Sequence, residues 1–400
     1  MGMILDSLSP AYGGYSIARD EKVILIKGAV PGEKVDVEIV EKKRDYSIGV
    51  VAGVIEPSDD RVEPPCPVFG KCGGCHLQYI RYERQLAMKD EVLRDTLARI
   101  GKIETDLGAP LSDANWHYRH RAQFKVSKTG EIGFFRESSR DVIVFEKCPL
   151  MNEGINLFLG KIKERCSVGG LNDIHIAAGD TPVALLKGKG YDTSSLEDFV
   201  EIGLSGVAYN DSIAYGGAYT GFDLNGLRYT VSPWSFFQAH WDLNRKVVDF
   251  MIDRMGPLEG KGVLDLYAGA GNFSLPAAAR GAEVVAVEES QYAVEDGKRN
   301  LELNGIKNCR IVRSSAEKYR INKRFDIVIL DPPRPGLTSE VTKKILDNPP
   351  GMIVYVSCNP ATLARDLKKL KEKYDLGAVH QIDFFPNTFH IESVSFLALR

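Results

Sequence analysis

The sequence predicts an α/β protein. Its C-terminal half reads as a Rossmann-like, mostly parallel sheet, preceded by an OB-like β-barrel and a β-rich centre. Three observations predict this. After about residue 235, strand and helix patterns alternate, and the strands carry the runs 263–266, 284–287, 327–330 and 353–356, apolar throughout except for Asp265 and not alternating. Strands buried on both faces, as in a parallel sheet under helices, have that texture. Residues 1–56 instead alternate apolar and polar residues in short runs separated by Gly13-Gly14 and Pro31-Gly32, without a helical period. Many short strands of this kind suggest a small barrel, although the same pattern fits a β-rich unit with no ligand of its own.

The remaining elements follow in order. Residues 57–75 are rich in Pro, Gly and Cys and cannot be regular structure. Residues 80–100 have apolar spacing near 3.6 and predict an amphipathic helix. From 117 to about 230 the pattern is mostly strand again, and helices are expected near 274–280, 291–304 and 339–347. The expected organisation is therefore a barrel at 1–57, a central β-rich domain formed by 58–76 with 111–235, and a C-terminal domain formed by 77–110 with 236–400.

Bulk properties narrow the function. The 400-residue chain has a net charge of −3, so attraction to nucleic acid must come from local basic patches. No apolar run is long enough to span a membrane, and the N-terminus has no secretory pattern; a cytoplasmic monomer is expected. Seven cysteines, an odd number, fit metal ligation or catalysis better than a disulfide framework.

In an open α/β sheet, ligands bind at the carboxyl ends of the strands. There the loop Asp265-Leu266-Tyr267-Ala268-Gly269-Ala270-Gly271-Asn272-Phe273 leaves the first parallel strand, and Glu288 ends the next strand, 23 residues after Asp265. Such an acid commonly accepts ribose hydroxyls. Ser274 occupies the third glycine position of a dinucleotide fingerprint, and the acidic entry at Asp265 disfavours pyrophosphate. The loop suits a cationic ligand such as S-adenosylmethionine. Taken alone, it also reads as a turn that binds nothing, or as a nicotinamide site.

Asp331-Pro332-Pro333-Arg334 ends another buried strand. Methyltransferases of exocyclic amines carry an aromatic residue where Arg334 stands, which argues against amine methylation. Ser357-Cys358-Asn359-Pro360 ends the next strand, 352–356, on the same sheet edge. A thiol there offers covalent catalysis, although a buried cysteine is more often an inert small hydrophobe. Carbon C5 of uracil is a poor nucleophile until a thiolate adds at C6, and the adduct then needs a base to remove the C5 proton. Glu392 is the candidate base.

These motifs resemble the RNA uracil-C5 methyltransferase family over nearly the whole chain. Ser357-Cys358-Asn359-Pro360 with Thr362-Leu363-Ala364-Arg365-Asp366 is similar to the family's nucleophile motif, Phe385 to Glu392 to its base motif, and Phe236-Phe237-Gln238 to its cofactor-contacting segment. The resemblance implies a class I S-adenosylmethionine-dependent methyltransferase domain. Cys358 would be its nucleophile and Glu392 its base, with Gln238, Tyr267, Asn272, Glu288, Ser315 and Asp331 binding the cofactor. Residues 1–56 resemble a TRAM barrel, with Pro31-Gly32-Glu33 its most typical stretch. His240 departs from the family, where Asn is common.

Cys66, Cys72 and Cys75 have the spacing C-x5-C-x2-C, and Cys148 follows after 72 intervening residues. Four thiolates can hold a [4Fe–4S] cluster or zinc. Only one close Cys pair is present, which favours iron–sulfur, and the pattern resembles that of cluster-bearing family members; reduced structural thiols are the plain alternative. Cys166 and Cys309 read as structural. Candidate RNA contacts are Lys42-Lys43-Arg44, His117-Tyr118-Arg119-His120-Arg121 and the basic stretch 310–324. The expected partner is RNA, with large-subunit (23S) ribosomal RNA ahead of the transfer-RNA T-loop. A scaffold protein with a spent catalytic domain and a methyltransferase of another target are the competing readings.

Overall fold

A computed structural model describes residues 2–400. The N-terminal residues form a six-stranded sheet. Its spatial order is Met3–Asp6, Lys34–Lys42, Tyr46–Glu56, Val23–Lys27, Tyr15–Arg19 and Ser9–Ala11. Register shifts at Lys34/Val35, Asp36/Val37 and Ile39/Glu41 interrupt the long central pair; such bulges increase local bending and twist. Its interior is Leu5, Ala18, Ile24, Ile26, Val35 and Val37. Glu33 closes this unit from beneath. Its buried carboxylate accepts from the Val30 amide (2.8 Å) and from Arg61 (2.5 and 2.7 Å).

Helix Tyr82–Thr96 follows, continued by a wider π-helical turn over Leu97–Gly101. A seven-stranded central sheet is built from Arg121–Val126, Ile132–Phe135, Val142–Val144, Leu171–Ala178, Pro182–Gly188, Gly206–Tyr209 and Ser212–Gly216. The region expected to be mostly strand also contains helix Glu153–Arg165, capped by Asn152. Its buried Ile155, Phe158, Leu159 and Ile162 have helical spacing, a signal masked by the strand-rich surroundings. The hairpin Thr220–Leu224/Leu227–Val231 contributes Phe222, Leu224, Tyr229 and Val231 to the core of the C-terminal sheet, so packing crosses the boundary expected near 235.

That C-terminal sheet has eight strands. Their order is Cys309–Arg313, Glu283–Glu288, Gly262–Leu266, Ile327–Leu330, Met352–Ser357, Glu392–Leu399, Tyr374–Ile382 and Leu107–Leu111. The first five pair in parallel, as their apolar runs predict. Glu392–Leu399 then enters antiparallel beside Met352–Ser357, an insertion that the sequence pattern does not announce. Helices Ser274–Ala279, Gln291–Leu303 and Ser339–Asp347 fall where expected, while Trp241–Arg254 and Pro360–Leu370 are additional. Among the described residues, no helix is long and apolar enough to cross a membrane.

Candidate active site

The parallel strands converge on a cavity of about 740 Å³ at their carboxyl ends. Gln238, Tyr267, Asn272, Glu288, Ser315, Asp331, Cys358 and Glu392 all line it. Topology explains much of the gathering: the parallel strands deliver the residues at and after their ends to one edge, and the antiparallel strand Glu392–Leu399 begins there.

The loop after Gly262–Leu266 forms one wall. Tyr267 adopts φ +68° and Gly271 φ +94°, where an added Cβ would lie 2.0 Å from Leu275. Backbone in this region is strained for a side-chain-bearing residue such as Tyr267. Glu288 ties the loop to the next strand, accepting from the Gly269 amide (2.8 Å) and the Ser290 amide (2.7 Å). Asp265 does not line the cavity; it lies wholly buried in its strand and accepts from Ser274 Oγ at 2.5 Å. Asn272 faces the cavity while its amide exchanges two hydrogen bonds with Asn244 (2.8 and 3.0 Å). Gln238 Oε1 is buried without a hydrogen-bond partner among the described residues, a polar atom open to a ligand.

The second wall carries the reactive groups. Cys358 stands in the turn between Met352–Ser357 and Pro360–Leu370. Asn359 caps that helix, accepting from the Ala361 amide at 2.9 Å, and Pro360 occupies its first turn. Ser357 pairs with Ser393 in the antiparallel register, so the next positions along the two chains are Cys358 and Glu392. Sheet register therefore brings together two residues 34 apart in sequence.

The electrostatics are acidic. Burial, reinforced by Glu288, pushes the Asp331 carboxyl up to about 7. Burial and Asp331 push Glu392 up to about 8, with Arg334 opposing. Burial, then Glu392 and Asp331, push the Cys358 thiol up to about 11, again against Arg334. Arg334 is the one basic side chain lining the cavity among the described residues. A cationic ligand would supply the charge this wall lacks.

A family model described as tRNA (Uracil-5-)-methyltransferase matches residues 223–400. The chain is 33% identical over 418 residues to a 23S rRNA (uracil(1939)-C(5))-methyltransferase of Alkalilimnicola ehrlichii, covering 96% of this chain and 94% of that relative. The chain belongs to the RNA uracil-C5 methyltransferase family. It is also 34% identical over 423 residues to an RNA methyltransferase of Thermotoga maritima, covering 95% of each chain. A solved Pyrococcus abyssi tRNA (uracil-54, C5)-methyltransferase in complex with S-adenosyl-L-homocysteine matches over 100% of both chains, with a TM-score of 0.80 and 26% identity. The protein is thus a methyltransferase with a Rossmann-like, class I catalytic fold.

In this member of the family, the loop leading to Glu392 is heavily braced. Lys89 and Asp383 form a buried ion pair at 2.6 Å, and Lys89 also donates to the Phe385 carbonyl. Asn387, at φ +65°, exchanges side-chain and backbone bonds with Gln85 and accepts from the amides of His76 and Leu77. None of these braces was legible as a site residue, because each works through a partner hundreds of positions away. His240 is a cap rather than a cofactor contact: Nδ1 accepts from the Leu243 amide, and the ring stacks on Tyr118 at 4.6 Å.

Cys66, Cys72, Cys75 and Cys148 line a second, mostly apolar cavity of about 150 Å³ with Phe69, Phe134 and Phe145. Burial raises the Cys75 thiol to about 12 and Cys148 to about 11, each further raised by neighbouring thiols of the set. Among the described residues no three His, Cys, Asp or Glu side chains are grouped so as to hold a metal ion. Cys166 and Cys309 sit apart, packed against the central and C-terminal cores.

Of the basic runs, Lys42-Lys43-Arg44 is exposed, as are Arg310, Arg313, Lys318, Arg320, Lys323 and Arg324. The run at 117–121 is largely structural. Tyr118 is buried, and Arg121 donates to the Ser235 carbonyl (2.9 Å) while covering the Phe237 ring.

Proposed function

We propose that the protein methylates C5 of a uridine in RNA, with Cys358 as nucleophile and Glu392 as base. The observation that carries this reading is a thiol and a buried carboxyl at facing register positions on one cavity. S-adenosylmethionine supplies the methyl group and a positive sulfonium. Gln238, Tyr267, Glu288 and Asp331 would hold it, with Asn272 and Ser315 at the margins of the same cavity. The unpartnered Gln238 oxygen and the acidic wall fit such a ligand.

The chemistry follows from the residues. Once the Cys358 proton has passed to solvent, Sγ forms a bond to uracil C6, and the electron pair of the C5–C6 double bond moves towards C5 and O4. C5 then takes the methyl carbon, whose bond to the donor sulfur breaks. Glu392, in its ionised form, removes the C5 proton, the double bond re-forms, and the C6–S bond breaks to release the thiolate. The target base must leave its stack to reach the cavity.

We read 23S ribosomal RNA as the substrate, on the 33% identity to a 23S rRNA enzyme across nearly the full length. The tRNA T-loop is the second reading, favoured by the full-length likeness to the tRNA (uracil-54, C5) enzyme. Residues 1–57 would act as a TRAM-type RNA-binding barrel. The four cysteines would hold a [4Fe–4S] cluster that pins segment 58–76 to the central sheet; all four thiols line one cavity, which supports this, but they are not grouped closely enough here to hold a metal ion and would have to draw together around the cluster.

The test uses RNA from a strain lacking this protein. Purified enzyme should release tritium from C5-tritiated uridine, and Glu392→Gln should trap a covalent RNA–protein adduct. Mass mapping of 23S rRNA and tRNA names the target. No release from any cellular RNA rejects the reading. Iron with broad visible absorption supports the cluster, and stoichiometric zinc without iron overturns it.

A further inference from the structure

Tyr12 lies in the turn between Ser9–Ala11 and Tyr15–Arg19 of the N-terminal sheet, far in sequence from the catalytic motifs. The turn is made by Gly13 (φ +97°) and Gly14 (φ +78°). Gly14 rests against the loop that leads to Glu392: a Cβ there would stand 3.4 Å from Phe389 Cβ and 3.6 Å from His76 Cβ. Two consecutive glycines thus meet both the backbone conformation and the close approach.

This contact assembles an aromatic group from three separate segments. Tyr12 meets the Phe389 ring edge-on at 5.8 Å. His76 and His390 each lie 4.5 Å from Phe389. His390 is two residues before Glu392. Tyr12 is also close enough to Cys358 and Arg334 for their charges to act on its hydroxyl. Its side chain nevertheless remains 43% exposed. A large aromatic ring is therefore held partly open to solvent, against the loop that leads to Glu392.

A nucleotide drawn out of its stack leaves neighbouring bases without a stacking partner, and aromatic side chains replace such partners in single-strand recognition. Resting on the uridine-methylation reading above, we infer that Tyr12 contacts the substrate, stacking on an RNA base next to the reacting uridine. The N-terminal sheet is then part of the catalytic mouth, and Tyr12 helps to select strands whose neighbouring base can be unstacked.

The experiment uses the full-length protein and a fluorescein-labelled oligouridylate, with binding read by anisotropy. Tyr12→Ala should weaken binding about tenfold, Tyr12→Phe and Tyr12→Trp should retain it, and Tyr12→Leu should behave like alanine. S-adenosylhomocysteine affinity should not change in any variant. Abasic sites flanking the central uridine should erase the difference between wild type and Tyr12→Ala. Equal binding by Tyr12→Ala, a Phe variant as weak as alanine, a difference that survives the abasic strand, or no binding by the wild type overturns the inference. Because binding needs no turnover, these results are separate from the tritium and adduct tests of the reaction.

Discussion

The two cavities of this protein are built in opposite ways. The catalytic cavity lies at the ends of parallel strands, and its walls are tied by hydrogen bonds such as those from the Gly269 and Ser290 amides to the Glu288 carboxylate. The cysteine cavity is walled by the irregular segment around Cys66–Cys75 and by Cys148, resting on strand Ile132–Phe135 through the Gly73 amide. The first follows from topology and needs no ligand to exist. The second gathers loop segments that lie far apart in the chain, and ordering them costs conformational entropy. The braced loop 383–392 joins the two, since Asn387 accepts from the His76 and Leu77 amides just after Cys75 while Glu392 lines the catalytic cavity.

The largest expected effect separates chemistry from binding in the catalytic cavity. Cys358→Ala should reduce methylation by about four orders of magnitude or more while leaving S-adenosylhomocysteine affinity unchanged. Calorimetric titration that finds binding lost would make the thiol a structural element.

The bridge between the cavities should fail next. Lys89→Ala leaves Asp383 buried without its partner and should cost about 3–5 kcal/mol in denaturant unfolding. A loss below about 1 kcal/mol would mean that Tyr82, which donates to Asp383 at 3.0 Å, suffices alone.

Cys75→Ser probes the asymmetry directly. Iron content should fall and the melting temperature drop by about 5 °C or more, with S-adenosylhomocysteine affinity held within about twofold. A large loss of cofactor affinity instead would show that the catalytic cavity depends on the cysteine one.

The smallest effect is in pH. Asp331 and Glu392 are raised to about 7 and about 8, above the ordinary carboxylate range, so their protonated forms are favoured in the fold. Their contribution to stability is complete below the unfolded carboxylate range and is lost as pH rises through 7 to 8. The ligand-free protein should therefore melt lower at alkaline pH. A cationic donor favours the ionised forms, so S-adenosylmethionine should bind about three- to tenfold more tightly at the alkaline end. Neutral-sulfur S-adenosylhomocysteine should show a flatter profile. Identical profiles for the two would detach these carboxyls from the sulfonium.

Much of the site was legible because parallel strands advertise themselves. Residues 327–330 and 353–356 are continuously apolar and buried, and 263–266 are apolar and buried apart from the equally buried Asp265. Knowing where such strands end locates Asp331 and Cys358. Helix Glu153–Arg165 was hidden by its neighbours, and the run at 117–121 looked like an RNA surface because charge and aromaticity in sequence do not report packing partners. Tyr118 stacks on His240, and Arg121 spends its guanidinium on Ser235 and Phe237.

The sequence by itself determined the strand types, the glycine loop, the strand-to-helix turn that exposes Cys358, and the spacing of the cysteines. Each is a local property, written in the period of apolar residues and in the few residues that tolerate unusual backbone angles. Tertiary structure alone decided that Ser357 pairs with Ser393, that four distant thiols share one cavity, and that Tyr12 reaches the Glu392 loop. A pattern of burial says which face of an element is covered, whereas only the folded chain says what covers it.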